Sequence, residues 1–148
     1  MVADDSIAVL RRYLDAVNAG DLETMAAMVA PGFVHHSGAG DLDIDGVREG
    51  LTYYRTAFPD LIYDVEDMLS VDGGSAVVAR WTMRGTNEGP FFGSGPTHRM
   101  IASHGLSLHR VVDGRIAEDW EFNDDMGLMR GLGFRVVPPD PAEAEAAG

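Results

Sequence analysis

The chain has 148 residues and no cysteine. That is the length of one domain, and it excludes disulfides, a thiolate nucleophile and a cysteine-based zinc site. The formal net charge of −13 makes a surface that repels nucleic acid and anionic membranes, so neither is an expected partner. Apolar residues make up 45% of the chain, enough for a core, but no apolar run approaches the roughly 20 residues that span a bilayer.

The segment MVADDSIAVLRR places acids before its apolar residues and has no basic n-region. The expectation is therefore no signal peptide and a cytoplasmic location. Residues 6–19 read as an amphipathic helix. Ile7, Leu10, Leu14 and Val17 recur at helical spacing, Tyr13 widens the stripe, and Gly20 closes it. Asp21 caps a second short helix with Leu22, Met25, Met28 and Val29, ended by Pro31-Gly32. Residues 33–37, FVHHS, form a short strand, and the loop GAGDLDID leads to a third helix at 46–57 carrying Val47, Leu51, Tyr54 and Phe58.

Strands then dominate. Leu61 to Val71 and Ser75 to Arg84 flank an Asp72-Gly73-Gly74 turn, and residues 85–96 are a Gly- and Pro-rich loop. Met100 to Val112 and Ile116 to Phe122 form the last hairpin around Asp113-Gly114. Residues 127–133 read as a short helix with a cap, and PPDPAEAEAAG as a polar, disordered tail. A single domain over 1–136 and a tail over 137–148 follow. Three helices before a meander of long strands predict an α+β fold, with the N-terminal helices on one face of a strongly curved antiparallel sheet. Such a sheet makes a cone with an internal pocket.

The last hairpin carries the chemistry. Ser107, His109, Asp119 and Glu121 occupy alternating positions on strands that otherwise read as core, and ionisable groups pointing inward line a cavity. With a bulge at Gly114, residues whose numbers sum to 228 face each other, so Ser107 meets Glu121 and His109 meets Asp119. A tight two-residue turn would instead pair His109 with Glu118 and Ser107 with Trp120. His109 shares a strand face with Ser107.

NAGDLETM, FVHHS, DGVREGLTYYRTAFPDL, TMRGTNEGPFFGSGPTHRM and RVVDGRIAEDWEFNDDMGLMRGLG together resemble the SnoaL-like polyketide cyclases, of nuclear-transport-factor-like cone fold, from residue 6 to about 134. The terminal motif is the most specific of these. The resemblance implies intramolecular aldol ring closure of a hydrophobic, polyketide-like carbonyl compound, with no metal and no cofactor. It implies dimerisation through the exposed sheet face, giving a homodimer or higher homo-oligomer. By position, the family's acid/base carboxylate, an Asp, falls on Glu121, and its assisting histidine falls on Ser107. His109 and His104 are the nearby histidines able to take that role, His109 on the strand face of Ser107 and His104 of opposite parity, and the bulged register is the one that agrees with the family.

A carbon acid between two carbonyls can be deprotonated by a partly desolvated carboxylate. The enolate then needs a donor at its oxygen, worth roughly 2.7–4 kcal/mol in well-studied oxyanion holes. Glu121, His109 and Ser107 are the catalytic candidates. His35 and His36 are adjacent, so a strand points one inward and one outward, and either is a candidate substrate contact. Tyr54, Trp81 and Trp120 are candidate pocket walls, with core packing the plainer role for Tyr54 and Trp81. Phe92 sits in the Gly-Pro loop, as either a cap on the expected pocket mouth or part of an interface patch. Asp124 is either a substrate contact or the N-cap of residues 125–131.

No metal-ligand spacing, Gly-rich phosphate loop or hydrolase-type Ser-His-Asp spacing is evident. The alternatives to a cyclase are a non-catalytic binding or dimerisation module, or another reaction of this scaffold: isomerisation, dehydration or cofactor-independent hydroxylation.

Overall fold

The computed structural model describes residues 3–146. The chain runs α1 (Ala3–Ala19), α2 (Leu22–Ala27), β1 (Val29–Ser37), β2 (Gly40–Leu42), α3 (Ile44–Ala57), β3 (Ile62–Val71), β4 (Ala76–Thr86), β5 (Met100–Val112), β6 (Arg115–Asn123), α4 (Asp125–Gly131) and α5 (Pro141–Ala146), with a 3-10 turn at Asp72–Gly74. The architecture is α+β, with one six-stranded sheet in the order β2-β1-β6-β5-β4-β3.

Local signals place the helices. Asp21 caps α2 by accepting from the Thr24 N–H, and Asp43 caps α3 by accepting from the Gly46 N–H. On α1, Leu10, Tyr13 and Val17 are buried, Ile7 and Leu14 are half-buried, and Val9 and Ala16 widen the stripe. In β5 the alternation is strict: Ile101, Ser103, Gly105, Ser107, His109 and Val111 are buried, and their even-numbered neighbours face outward. The odd-numbered face meets the core of Leu10, Tyr13, Phe58, Val77, Trp81, Phe91 and Leu128.

Several expectations need correction. The sheet is mixed, because β1 runs parallel to β6 while every other pair is antiparallel. These two strands are far apart in sequence, so no hairpin constrains their direction. Helix α2 stops at Ala27, and Val29, Pro31 and Gly32 belong to β1. The register slips between Val29 and Val34, and this irregular stretch tolerates a proline and a glycine at φ 78°. Gly40–Leu42, read as loop, pairs with β1. Within the polar tail, Pro141–Ala146 form the short α5.

The last hairpin has the expected register through a different device. Ser107 faces Glu121 and His109 faces Asp119. Yet Val112 faces Arg115 across a tight two-residue turn whose residues, Asp113 and Gly114, have φ of 50° and 75°. The bulge lies beyond the turn: Arg110 pairs with Glu118 while Val111 pairs with Ile116, so Ala117 is the extra residue.

The 87–99 connection is held by buried Asn87. Its amide donates to the Ala57 and Gly89 carbonyls at 3.2 and 2.9 Å, and its oxygen accepts from the Thr97 N–H at 2.7 Å and the Thr97 hydroxyl at 2.9 Å. Phe91 is thereby packed among Tyr53, Tyr54 and Phe58. Phe92, at φ 46°, is 62% exposed and donates its N–H to the Tyr53 hydroxyl.

Candidate functional site

Strand register assembles the site. On the inner face, Val77, His109, Asp119 and His35 form one cross-strand row over β4, β5, β6 and β1. Ala79, Ser107 and Glu121 form the next row, and Trp81, Gly105 and Asn123 a third. Cross-strand partners bring their Cβ atoms to about 5 Å, so the polar side chains of these rows are in reach of one another. They open onto a cavity of about 490 Å³, closed on other sides by Tyr13 of α1, Leu51 and Tyr54 of α3, and Leu128 and Met129 near the C-terminal end.

Asp119 is the hub. His35 Nδ1 lies 2.6 Å from Asp119 Oδ1, and the two side chains are 12% and 4% exposed. His109 Nδ1 lies 3.2 Å from Asp119 Oδ2, a close contact whose alignment falls short of a hydrogen bond. On its other side, His109 Nε2 is hydrogen-bonded to Ser107 Oγ at 2.8 Å, and the Trp81 indole N–H donates to the same oxygen at 3.2 Å. Ser107, His109 and Asp119 are thus connected in series. The indole donating into Ser107 Oγ and the misaligned His109–Asp119 contact make this a positioning network rather than a nucleophile relay.

The charges follow from this arrangement. Burial acts to raise the Asp119 pKa, but the His109 and His35 rings held close against its two oxygens, and their charge, keep it below the ordinary carboxylate value. For His35, burial acts downward, and the hydrogen bond to Asp119 with the charges of Asp119 and Glu121 lift the net value above an ordinary histidine. Glu121 goes the opposite way from Asp119. Burial raises its pKa, Asp119 adds to the rise, and His35 and His109 offset only part of it. Two carboxylates two residues apart are therefore pushed in opposite directions, a pattern of acid/base sites. Burial also raises the Tyr13, Tyr63 and Tyr54 phenols, the last to about 12, so all three remain neutral donors.

The family model described as SnoaL-like polyketide cyclase matches residues 7–132. The chain belongs to the SnoaL-like polyketide cyclase family. It is 25% identical over 151 residues to the aklanonic acid methyl ester cyclase DauD of Streptomyces sp. (strain C5), covering 91% of each chain. Among solved structures it is similar to IdmH of Streptomyces antibioticus, provisionally assigned as a polyketide cyclase, with 33% identity and a TM-score of 0.75 over 89% of this chain and 99% of that one. It is also similar to AclR of Streptomyces galilaeus, provisionally assigned as a hydroxylase, with 26% identity and a TM-score of 0.81 over 88% and 97%.

In this SnoaL-like chain, Glu121, His109, Ser107, His35, Tyr54, Trp81 and Phe92 all line the cavity. Three candidates do not. His36 faces the opposite side of the sheet, where Nδ1 meets Asp41 at 2.6 Å, Nε2 meets Glu118 at 2.8 Å, and the ring stacks on Trp120 at 4.9 Å. Trp120 is carried to that outer face by its parity with Phe122, and Arg110 lies over its ring at 5.7 Å. Asp124 is the N-cap of α4, accepting from the Gly127 N–H at 2.8 Å.

Asp119 and Gly105 carry more of the site than their sequence roles suggested. Asp119 was readable from its parity with Glu121 and its place opposite His109. Nothing local marks Gly105. A Cβ there would lie 2.2 Å from the Trp81 ring, so the indole lies flat across a glycine backbone.

Proposed function

We propose that the protein is a polyketide cyclase that closes a ring by intramolecular aldol condensation in a neutral, largely apolar carbonyl compound. The observation that carries this reading is Glu121, a carboxylate with a raised pKa facing Ser107 in the cavity. A base poised above the ordinary carboxylate range is better matched to a carbon acid than an ordinary surface Glu.

Glu121 takes the proton from a carbon flanked by two carbonyls. The resulting enolate carbon attacks a second carbonyl of the same molecule, one C–C bond forms, and the new alkoxide is protonated. The polar wall from Ser107 to His35 faces the developing oxyanion. No other co-reactant enters the balance, because substrate and product are isomers.

Substrate class follows from the lining. The cavity volume is within the roughly 300–1,000 Å³ of small-molecule sites. Its described lining residues include Asp119, Glu121 and Asp125 but no lysine or arginine, which disfavours a free carboxylate and suits an ester. Residues 1–136 are the working unit in this reading, with the N-terminal helices closing a cone. On the outer sheet face Leu69, Met100, Leu106 and Phe122 are exposed, which supports a homodimer formed there. No helix among the described residues is long and apolar enough to cross a membrane.

Aklanonic acid methyl ester, named for the relatives' activity, is the first compound to assay. Glu121→Gln should retain binding and lose turnover by roughly 10²–10⁴-fold, the range for a positioned acid/base. Unchanged turnover by this variant would sink the acid/base role, and binding without conversion by the unmodified chain would make the protein a binding module. The similarity to AclR favours one second reading, in which the same carbanion meets dioxygen. Oxygen consumption in place of isomer formation identifies it.

A further inference from the structure

The polar wall holds two histidines, and the cyclase reading leaves open which of them delivers the proton to the new alkoxide. His109 is the one nearest the family position, but its Nε2 is hydrogen-bonded to Ser107 at 2.8 Å, and its Nδ1 is buried against Asp119 at 3.2 Å, away from the cavity space. The Ser107 oxygen in turn accepts the Trp81 N–H. His35 is arranged differently. Its Nδ1 is held by Asp119 at 2.6 Å, and its ring lines the cavity. No described residue is hydrogen-bonded to its Nε2. An imidazole anchored through Nδ1 on a carboxylate has a fixed orientation and directs its second nitrogen at whatever fills the space beyond.

We propose that His35 is the catalytic acid of the ring closure, with Asp119 as its positioning residue, and that Ser107 and His109 orient Asp119 from the other side. This rests on the cyclase reading above. His35 and Glu121 occupy neighbouring rows of one sheet face, a diagonal separation of about 7–8 Å. That gap places a reacting carbon against Glu121 and an electrophilic carbonyl oxygen against His35. Glu121 receives the proton as the C–H bond breaks. The enolate electrons form the C–C bond, the carbonyl π pair moves to oxygen, and the His35 Nε2 proton closes it as a hydroxyl. Glu121 is left protonated and His35 neutral, and one proton passing from the first to the second resets the site.

The surroundings of His35 are compatible with a protonated resting state. Asp119 and Glu121 face it from β6, His109 shares Asp119 from β5, and Tyr54 of α3 borders the same cavity. Burial and the adjacent His36 oppose its charge, and the two carboxylates outweigh them. Asp41 of β2 and Glu118 of β6 are taken up by His36 on the other face.

The test is the pH dependence of aklanonic acid methyl ester conversion, with an NMR titration of the His35 ring in the free chain. The wild type should show an acidic limb above the ordinary Glu value of 4.5 and an alkaline limb above the ordinary His value of 6.5. His35→Gln should remove the alkaline limb and lower kcat by roughly 10²–10⁴-fold with little change in KM. Asp119→Asn should move both the limb and the His35 titration to lower pH. His35→Gln that keeps the limb and a kcat within a few-fold of wild type overturns the assignment, as does loss of the limb in His109→Gln alone or a His35 titration at or below 6.5. Those outcomes leave the cyclase reading standing. A wild-type chain that converts nothing overturns the cyclase reading and the catalytic role with it.

Discussion

Gly105→Ala should damage the site without touching an ionisable group. Gly105 sits directly across from Trp81 in the β4–β5 ladder, and a Cβ built on it lies 2.2, 2.4 and 2.6 Å from Cη2, Cζ2 and Cζ3 of the indole. Carbon–carbon contacts sit at about 3.5–4.0 Å, so the ring has to withdraw by more than about 1 Å. It has little freedom to do so, because it packs edge-on against Tyr63 at 5.1 Å and is bonded to Ser107 through its N–H. Overpacking of this kind costs about 1–3 kcal/mol. For a chain of this size that lowers Tm by roughly 2–4 °C per kcal/mol. The displaced ring should also lose its bond to Ser107 and reduce the cavity. The assay is thermal unfolding with tryptophan emission in a Trp120→Phe background, where Trp81 is the remaining one of the two tryptophans. A Tm unchanged to within about one degree, with unshifted Trp81 emission, would refute the packing argument.

Two further outcomes follow from the network around Asp119 and the start of α4. The Asp119 pKa is lowered, so its contribution to stability is complete above 3.8 and is lost as pH falls through its folded value; the His35 pKa is raised, so its contribution is complete below 6.5 and is lost as pH rises through its folded value. The pair should therefore stabilise most between those two limits, and Asp119→Ala should cost about 3–5 kcal/mol there; Tm measured across pH checks it, and a uniform loss at every pH would contradict it. Asp124→Ala should cost about 1 kcal/mol by removing the α4 cap while leaving kcat and KM intact, and a substrate affinity that collapsed instead would restore Asp124 to the site.

Much of this protein is local enough to read directly. Asp21 and Asp124 precede short apolar helices and cap them. The strict alternation of β5 separates an inner Ser107–His109 face from an outer Leu106–Arg110 face. The pairing of Ser107 with Glu121 was recoverable too, although the bulge that produces it sits at Ala117 rather than Gly114. A bulge shifts register by the same one residue wherever it lies between the turn and the pair, so spacing alone does not locate it. His36, Trp120 and Asp124 were candidates because they sit beside the right motifs. Two of them lie one residue off the inner parity, and the third spends its carboxylate on a helix end.

By itself the sequence determined the family, the hairpin and the carboxylate Glu121, because helix periods, strand parity and turn chemistry are properties of neighbouring residues. Tertiary structure alone decided that β1 docks in parallel along β6. That docking brings His35 onto Asp119, 84 positions away, and leaves His36 on the far side. The pairing of non-adjacent strands is fixed by which faces the whole core buries, a quantity no local pattern contains. Which of the two β1 histidines lines the cavity is set by the same long-range choice.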